Sequence, residues 1–202
     1  NRFPVEIVSG KGSKVYDING KAYVDMGSGI GVTAFGFGDE AWMAAVTEQL
    51  GKVQHTSNLY YTEPCAKLAK LMCEKTGMKK VFFSNSGAEA NEGAIKYARK
   101  YSQDKYGVGR HTIITLNKSF HGRTLTTLQA TGQDVFHKDF LPLTEGFVYA
   151  EANNIDDVKH LAKEKARLEK AAADAAREQV RLDEEMKKIQ AEKDRLLSLD
   201  DK

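Results

Sequence analysis

Between Lys79 and Tyr106 the spacing of apolar residues changes its period once, and the change falls on a glycine. Lys79-Lys80-Val81-Phe82-Phe83 is a short, aromatic-rich apolar run and predicts a buried strand. Downstream, Ala90, Ala94, Ile95 and Ala98 recur at helical spacing, which predicts a helix over 91–106. The letters between are Ser84-Asn85-Ser86-Gly87-Ala88-Glu89-Ala90. A strand that turns tightly into a helix leaves the first helical N–H groups without partners, and the helix dipole adds partial positive charge there. A phosphate fits such a turn without a lysine, and Gly87, having no Cβ, lets an anion approach the backbone. The same letters also form a capping box, with Ser86 and Glu89 satisfying each other's orphan N–H groups. On local grounds both readings stand.

The flanking sequence sets this turn in an alternating α/β pattern. Residues 5–25 predict a small antiparallel sheet, with Asn19-Gly20 as the turn between two alternating runs. Met26-Gly27-Ser28-Gly29-Ile30-Gly31-Val32 is too glycine-rich for a regular element, and serves either ligand approach or plain chain reversal. Asp39 is placed to cap a helix bearing Trp42, Val46 and Leu50 on one face, closed by Gly51. Thr62-Glu63-Pro64 opens another, ended by Gly77. Two further β-branched runs, 111–116 and 146–149, complete the pattern. Strands alternating with helices predict a three-layer α/β/α sandwich with a largely parallel sheet. Ligands in such sheets sit at the carboxyl ends of strands, where 84–90 and the segment after Leu116 would emerge.

That segment reads Asn117-Lys118-Ser119-Phe120-His121-Gly122-Arg123-Thr124. Phe120 has the flat face to stack on a heteroaromatic ring, and Arg123 has the planar fork that clamps a carboxylate. The plainer alternatives are Phe120 in the core, His121 as a satisfied polar residue and Arg123 as a solvated charge. Composition narrows the partners. With 41% hydrophobic residues, 29% charged residues and a net charge of +2, charge implies neither a nucleic-acid nor a membrane partner. No apolar run reaches the length of a membrane span and no signal-peptide pattern opens the chain, which predicts a cytoplasmic protein. Asn1 in place of a methionine is the expected mark of a piece of a longer parent, or of processing. Cys65 and Cys73 suit neither a disulfide framework nor a metal site, and are expected to be buried thiols.

Taken together, Val15 to Met26, Asn85 to Glu92 and Ser119 to Thr124 resemble, in order and spacing, the class III pyridoxal-phosphate-dependent aminotransferases, and among them the acetylornithine type. The resemblance covers about residues 1 to 160. It implies a fold-type-I architecture with pyridoxal phosphate as cofactor, its phosphate held by the turn at Ser86, Gly87 and Ala88. It further implies that Phe120 stacks on the pyridine ring and that Arg123 holds the substrate carboxylate. The implied reaction passes an amino group from the side-chain end of N-acetylornithine to 2-oxoglutarate, a step toward arginine. The implied assembly is a homodimer with active sites between subunits. The aspartate that pairs with the ring nitrogen and the lysine that anchors the cofactor aldehyde lie further along in that family, and no position here matches them. No catalytic residue is therefore assigned, and the chain alone is expected not to turn over.

From about Val158 the sequence changes character. No aromatic follows Tyr149, no glycine follows Gly146 and no proline follows Pro142. Ala, Lys, Glu and Arg dominate, which predicts one long helix, with Asn154 as its cap. Leu161, Leu168, Ala175, Leu182, Ile189 and Leu196 recur every seven residues, beside a poor companion seam of Lys165, Ala172, Gln179, Met186 and Lys193. Such a helix forms a coiled coil with another copy, folds onto the α/β part by its narrow stripe, or stands solvated. The expected organisation is an N-terminal sheet and glycine loop over 1–35, a partial cofactor-binding α/β domain over 36–157, and a charged helix over 158–202. A reading of another class takes the chain as a chimeric interaction protein whose helix drives association.

Overall fold

The computed structural model describes the backbone of residues 2–200 and the side chains of 2–191. By its contacts the chain divides into two units, one ending at Val81 and the other starting at Phe82.

The first unit opens with three antiparallel strands in sequence order: β1 (Ile7–Lys11), β2 (Lys14–Asp17) and β3 (Ala22–Val24). The β2–β3 hairpin turns where its sequence predicts, with Gly20 at φ +79°. Asp17 organises that turn. Its carboxylate accepts hydrogen bonds from the main-chain N–H groups of Asn19 and Lys21 and from the Tyr23 hydroxyl, each at 2.9 Å. Burial works to raise the pKa of this carboxyl, but the three hydrogen bonds and the Lys21 charge outweigh it and hold it below its ordinary 3.8. The glycine-rich stretch that follows yields only one turn, α1 (Ser28–Gly31), with Gly29 and Ile30 left-handed at φ 59° and 62°.

Helices α2 (Glu40–Leu50) and α3 (Glu63–Thr76) start and stop on the expected residues. The Asp39 side chain accepts from Trp42 N–H at 2.7 Å, Pro64 lies in the first turn of α3, and Gly77 closes it at φ +74°. Their apolar faces form but stay uncovered: Trp42, Leu50 and Leu71 are each half-exposed or more. The cysteines share that fate. Cys65 is exposed and Cys73 half-buried, so the expectation of buried thiols fails because no layer covers the face of α3.

The second unit holds α4 (Gly87–Tyr106), β4 (Ile113–Leu116), α5 (Leu125–Ala130), β5 (Phe147–Ala150) and α6 (Ile155–Asp200). β4 and β5 pair in parallel, with Ile113 opposite Phe147 and Leu116 opposite Ala150. The predicted buried strand over 79–83 is not one. Those residues form no ladder, and Phe82 is 71% exposed, its ring leaning on Gly93 of α4. The apolar run has the composition of a strand, but a strand exists only where a neighbour takes its N–H and C=O groups. The buried set is small: Ile95, Leu128, Ala130 and Ala150, with Thr115, Thr127 and Thr131 among them.

The long helix follows its sequence closely at the start. Asn154 caps it, its side chain accepting from Asp157 N–H at 3.1 Å. Its near part lies on the α/β elements: Val158 and Leu161 are half-buried, and Glu169 accepts from Thr112 N–H at 2.8 Å. From Asp174 to Ala191 every residue is exposed, Leu182, Met186 and Ile189 included. The stripe thus folds onto the α/β part over its first turns and stands solvated beyond them; the side chains of Lys193 and Leu196 lie outside the described residues. Among the described residues no helix is long and apolar enough to cross a membrane.

Two measurements check this description. Hydrogen exchange followed by mass spectrometry will show amides 81–83 exchanging fast and the β4–β5 ladder protected. Because the folded Asp17 pKa is depressed, its stabilisation is full above the ordinary value of 3.8 and is lost as pH falls through the lower folded value. An acid titration followed by tyrosine fluorescence will therefore lose this part of its acid limb in Asp17→Asn.

Candidate functional site

The first turn of α4 divides its orphan donors between two uses. Ser86, extended at φ −155° and ψ 164°, is the N-cap, and its Oγ accepts from Glu89 N–H at 3.2 Å. Glu89 returns the favour one residue further back than a standard capping box, its Oε2 accepting from Asn85 N–H at 2.8 Å. The first intrahelical bond runs from Ala90 N–H to Ser86 O. Gly87 and Ala88 N–H find no acceptor among the described residues. Gly87 is exposed, and a Cβ placed on it would meet nothing within 4 Å. The cap and an anion site therefore coexist, using different N–H groups.

The second segment is brought against this turn by contacts that can be named. After β4, Asn117 bridges to Gly132 and Lys118 N–H bonds Gly132 O at 2.6 Å, an approach so close that a Cβ on Gly132 would lie 2.2 Å from Leu116 O. The chain then runs through Phe120 to Gly122, where a Cβ would sit 2.7 Å from Ala88 Cβ and 2.5 Å from Thr127 Oγ1. Asn91 of α4 donates its Nδ2–H to His121 O at 2.7 Å, and the Thr124 hydroxyl donates to Glu92 Oε1. From the other side, His121 N–H donates to Thr131 Oγ1 at 2.9 Å and Thr124 N–H to Thr127 Oγ1 at 3.1 Å. Thr127 and Thr131 are wholly buried.

The residues expected at the site thus fall as follows. Ser86 caps, while Gly87 and Ala88 offer main-chain donors. Phe120 is 58% exposed, touched edge-on by Phe136 at 6.4 Å between ring centroids, so it is not a core residue. Arg123 is exposed on the clasped loop, with no ion pair or hydrogen bond among the described residues. His121 is the satisfied polar residue, its ring Nδ1 3.4 Å from Ser119 Oγ. Ala88 and Gly122 meet directly, which sets the two segments beside each other. Chemically the arrangement offers two main-chain donors for an anion, an open aromatic ring and a free guanidinium. The sequence alone does not mark Asn91, Glu92, Thr127 or Thr131 as site residues. The only sequence signal for the threonines was their four-residue spacing, one helical turn, in a stretch that otherwise reads as polar surface.

Comparison with known proteins identifies the family. The family described as aminotransferase class-III matches residues 1–189, past the point near 160 where the motif resemblance ends. The acetylornithine aminotransferase of Haemophilus ducreyi is 55% identical over 158 residues, covering 78% of this chain and 40% of that protein. The acetylornithine aminotransferase of Wolinella succinogenes is 50% identical over 163 residues, covering 80% and 41%. Among solved structures, the ornithine aminotransferase of Toxoplasma gondii, with partial occupancy of PLP at its active site, superposes with a TM-score of 0.75 at 28% identity, over 81% of this chain and 39% of that one. An aminotransferase of Bacillus anthracis gives 0.68 at 34% identity, over 73% and 33%. The chain spans about two fifths of the length of the curated relatives it matches.

The contact at Gly122 and the hydroxyl of Thr131 carry the clasp. Gly122→Ala, at φ +140° and against Ala88, will cost about 1–3 kcal/mol. Thr131→Val strands the half-buried His121 N–H and will cost about 1 kcal/mol. Both are read as a lowered urea midpoint.

Proposed function

The chain belongs to the class-III aminotransferases, and from that premise we propose that it carries the cofactor-phosphate, ring-stacking and substrate-carboxylate elements of an acetylornithine-type enzyme. Pyridoxal phosphate is the cofactor in this reading. When bound, it supplies an electron-withdrawing ring that stabilises negative charge at the amino-bearing carbon. Gly87 and Ala88 hold its phosphate through their N–H groups, helped by the dipole of the 20-residue helix α4. Ser86 fixes the cap that aims them. Phe120 lies against the ring, and Arg123 pairs with the carboxylate of an amino donor or 2-oxo acid in a two-point contact.

The observation that carries this reading is that open donors at Gly87 and Ala88 sit beside a loop whose arginine has no partner among the described residues. N-acetylornithine as donor, 2-oxoglutarate as acceptor, a role in making arginine, a homodimer and a cytoplasmic site belong to the same reading, supported by likeness to acetylornithine aminotransferases. No lysine of these 202 residues sits in a context matched to aldehyde anchoring, so the role proposed for this chain by itself is binding rather than turnover. A second reading, association through α6, has one observation in its favour: the uncovered stripe of Leu182, Met186 and Ile189. Glu178, Asp183 and Glu185 flank that stripe, and like charges facing each other oppose pairing with an identical helix.

Gly87→Pro tests the main reading cleanly. Proline is tolerated in the first helical turn, and Ser86 already has the extended backbone that a residue before proline adopts. The variant will keep its helicity by circular dichroism. Loss of one charge-assisted N–H bond will weaken pyridoxal phosphate about 10-fold or more in a spectroscopic titration. Unchanged affinity would remove the main-chain phosphate site from the reading.

A further inference from the structure

We propose that Asn91 and Glu92 are positioning residues that fix the spacing between an anion at Gly87 and Ala88 and a carboxylate at Arg123. The site then recognises one molecule carrying both charges rather than two separate anions. The inference rests on the function proposed above and adds to it a pair of residues that touch neither charge.

Both residues lie in the second turn of α4, on the helix whose first turn supplies the donors. Their bonds straddle the arginine. Asn91 holds the carbonyl of His121, and Glu92 takes the hydroxyl of Thr124, so the residues on both sides of Gly122-Arg123 are tied to α4. Gly122 itself rests on Ala88, one of the two donor residues. Thr127 and Thr131 hold the same loop from the side of α5 through the N–H groups of Thr124 and His121. The main chain that carries Arg123 is therefore pinned between two helices, while its guanidinium stays free. The Glu92 carboxylate is also occupied by Thr124 rather than by Arg123, for which no ion pair occurs among the described residues.

Rigid spacing has a thermodynamic signature. When two subsites are held at a fixed separation, a ligand that spans them binds its second charge intramolecularly, at an effective concentration set by that rigidity. Loosening the loop lowers this advantage, while the N–H groups of Gly87 and Ala88 belong to α4 and stay as they were. The advantage is thus separable from simple stability.

The test uses two probes on the full chain. Pyridoxamine phosphate carries the phosphate and the ring without a carboxylate. Its reduced phosphopyridoxyl conjugate with an amino acid adds the carboxylate. The ratio of their affinities, by calorimetry, reads the second charge alone. The expected ratio in the unaltered chain is about 100-fold. In Asn91→Ala with Glu92→Ala it will fall by about 10-fold, with pyridoxamine phosphate, whose phosphate is held by α4 and whose ring meets Phe120 of the loop, weakening far less. Glu92→Gln, whose amide oxygen still accepts from Thr124, will keep the full ratio. Arg123→Gln will lower the ratio in the unaltered chain and no further in the double variant. The proposal is overturned if the double variant keeps the ratio, whether or not both probes weaken equally, or if Glu92→Gln lowers the ratio as the double variant does. Should the unaltered chain bind neither probe, the proposed function itself has failed, and the inference goes with it.

Discussion

Two hydroxyls with no water to turn to hold the functional end of the second unit. Thr127 and Thr131 are wholly buried, and a buried hydroxyl without partners costs a large part of what a small unit has to spare. Thr131 meets its need by donating to Thr127 O at 2.9 Å and accepting from His121 N–H. Thr127 accepts from Thr124 N–H and lies 2.6 Å from the Thr124 hydroxyl. Each hydroxyl accepts a main-chain N–H from the loop that carries Arg123. The loop is thus ordered by the demand of the helix beneath it, not by apolar packing of its own. Gly122 follows from the same demand, since any side chain there would hold the loop off both Thr127 and Ala88.

This polar anchoring matters more because apolar burial is thin. Among the described residues Val15 is the buried hydrophobic residue of the first unit, and in the second the set is Ile95, Leu128, Ala130 and Ala150. Helices as short as α2 and α3, of 11 and 14 residues, are marginal in water unless an apolar face is covered. Here the caps at Asp39 and Gly77 are made and the faces are not covered. Phe35, Trp42, Leu59 and Tyr61 stand largely exposed, which marks surface awaiting contact rather than finished core.

What the sequence disclosed and what it withheld divide by range. The Asn19-Gly20 hairpin, the Asp39, Ser86 and Asn154 caps and the Gly77 stop all rest on contacts within a few residues, and each stands where its letters put it. The strand expected over 79–83 and the burial of Cys65 needed partners from elsewhere in the chain, and those are not made. The site divides the same way. Ser86, Gly87 and Ala88 were legible because a turn into a helix is local. The ties from Asn91 to His121 and from Glu92 to Thr124 span about thirty residues each, and nothing in the spacing of those letters announces them.

The turn at Ser86 shows how a structural reading and a functional one can share the same letters. A helix start has more orphan donors than a single capping side chain can use. Ser86 takes the donor of Glu89, and Glu89 takes that of Asn85. Those two bonds secure the helix start. They leave the donors of Gly87 and Ala88 without a protein acceptor among the described residues, at the place where the dipole is strongest and where no Cβ on Gly87 intrudes. An anion bound there displaces no protein hydrogen bond and strains no dihedral, so its binding energy is not spent on undoing the fold. That division follows from the order Ser-Gly-Ala-Glu alone. Moving the glycine one place in either direction would set it at the cap or beside the residue that closes the box, and position 87, where space is now open, would then carry a Cβ.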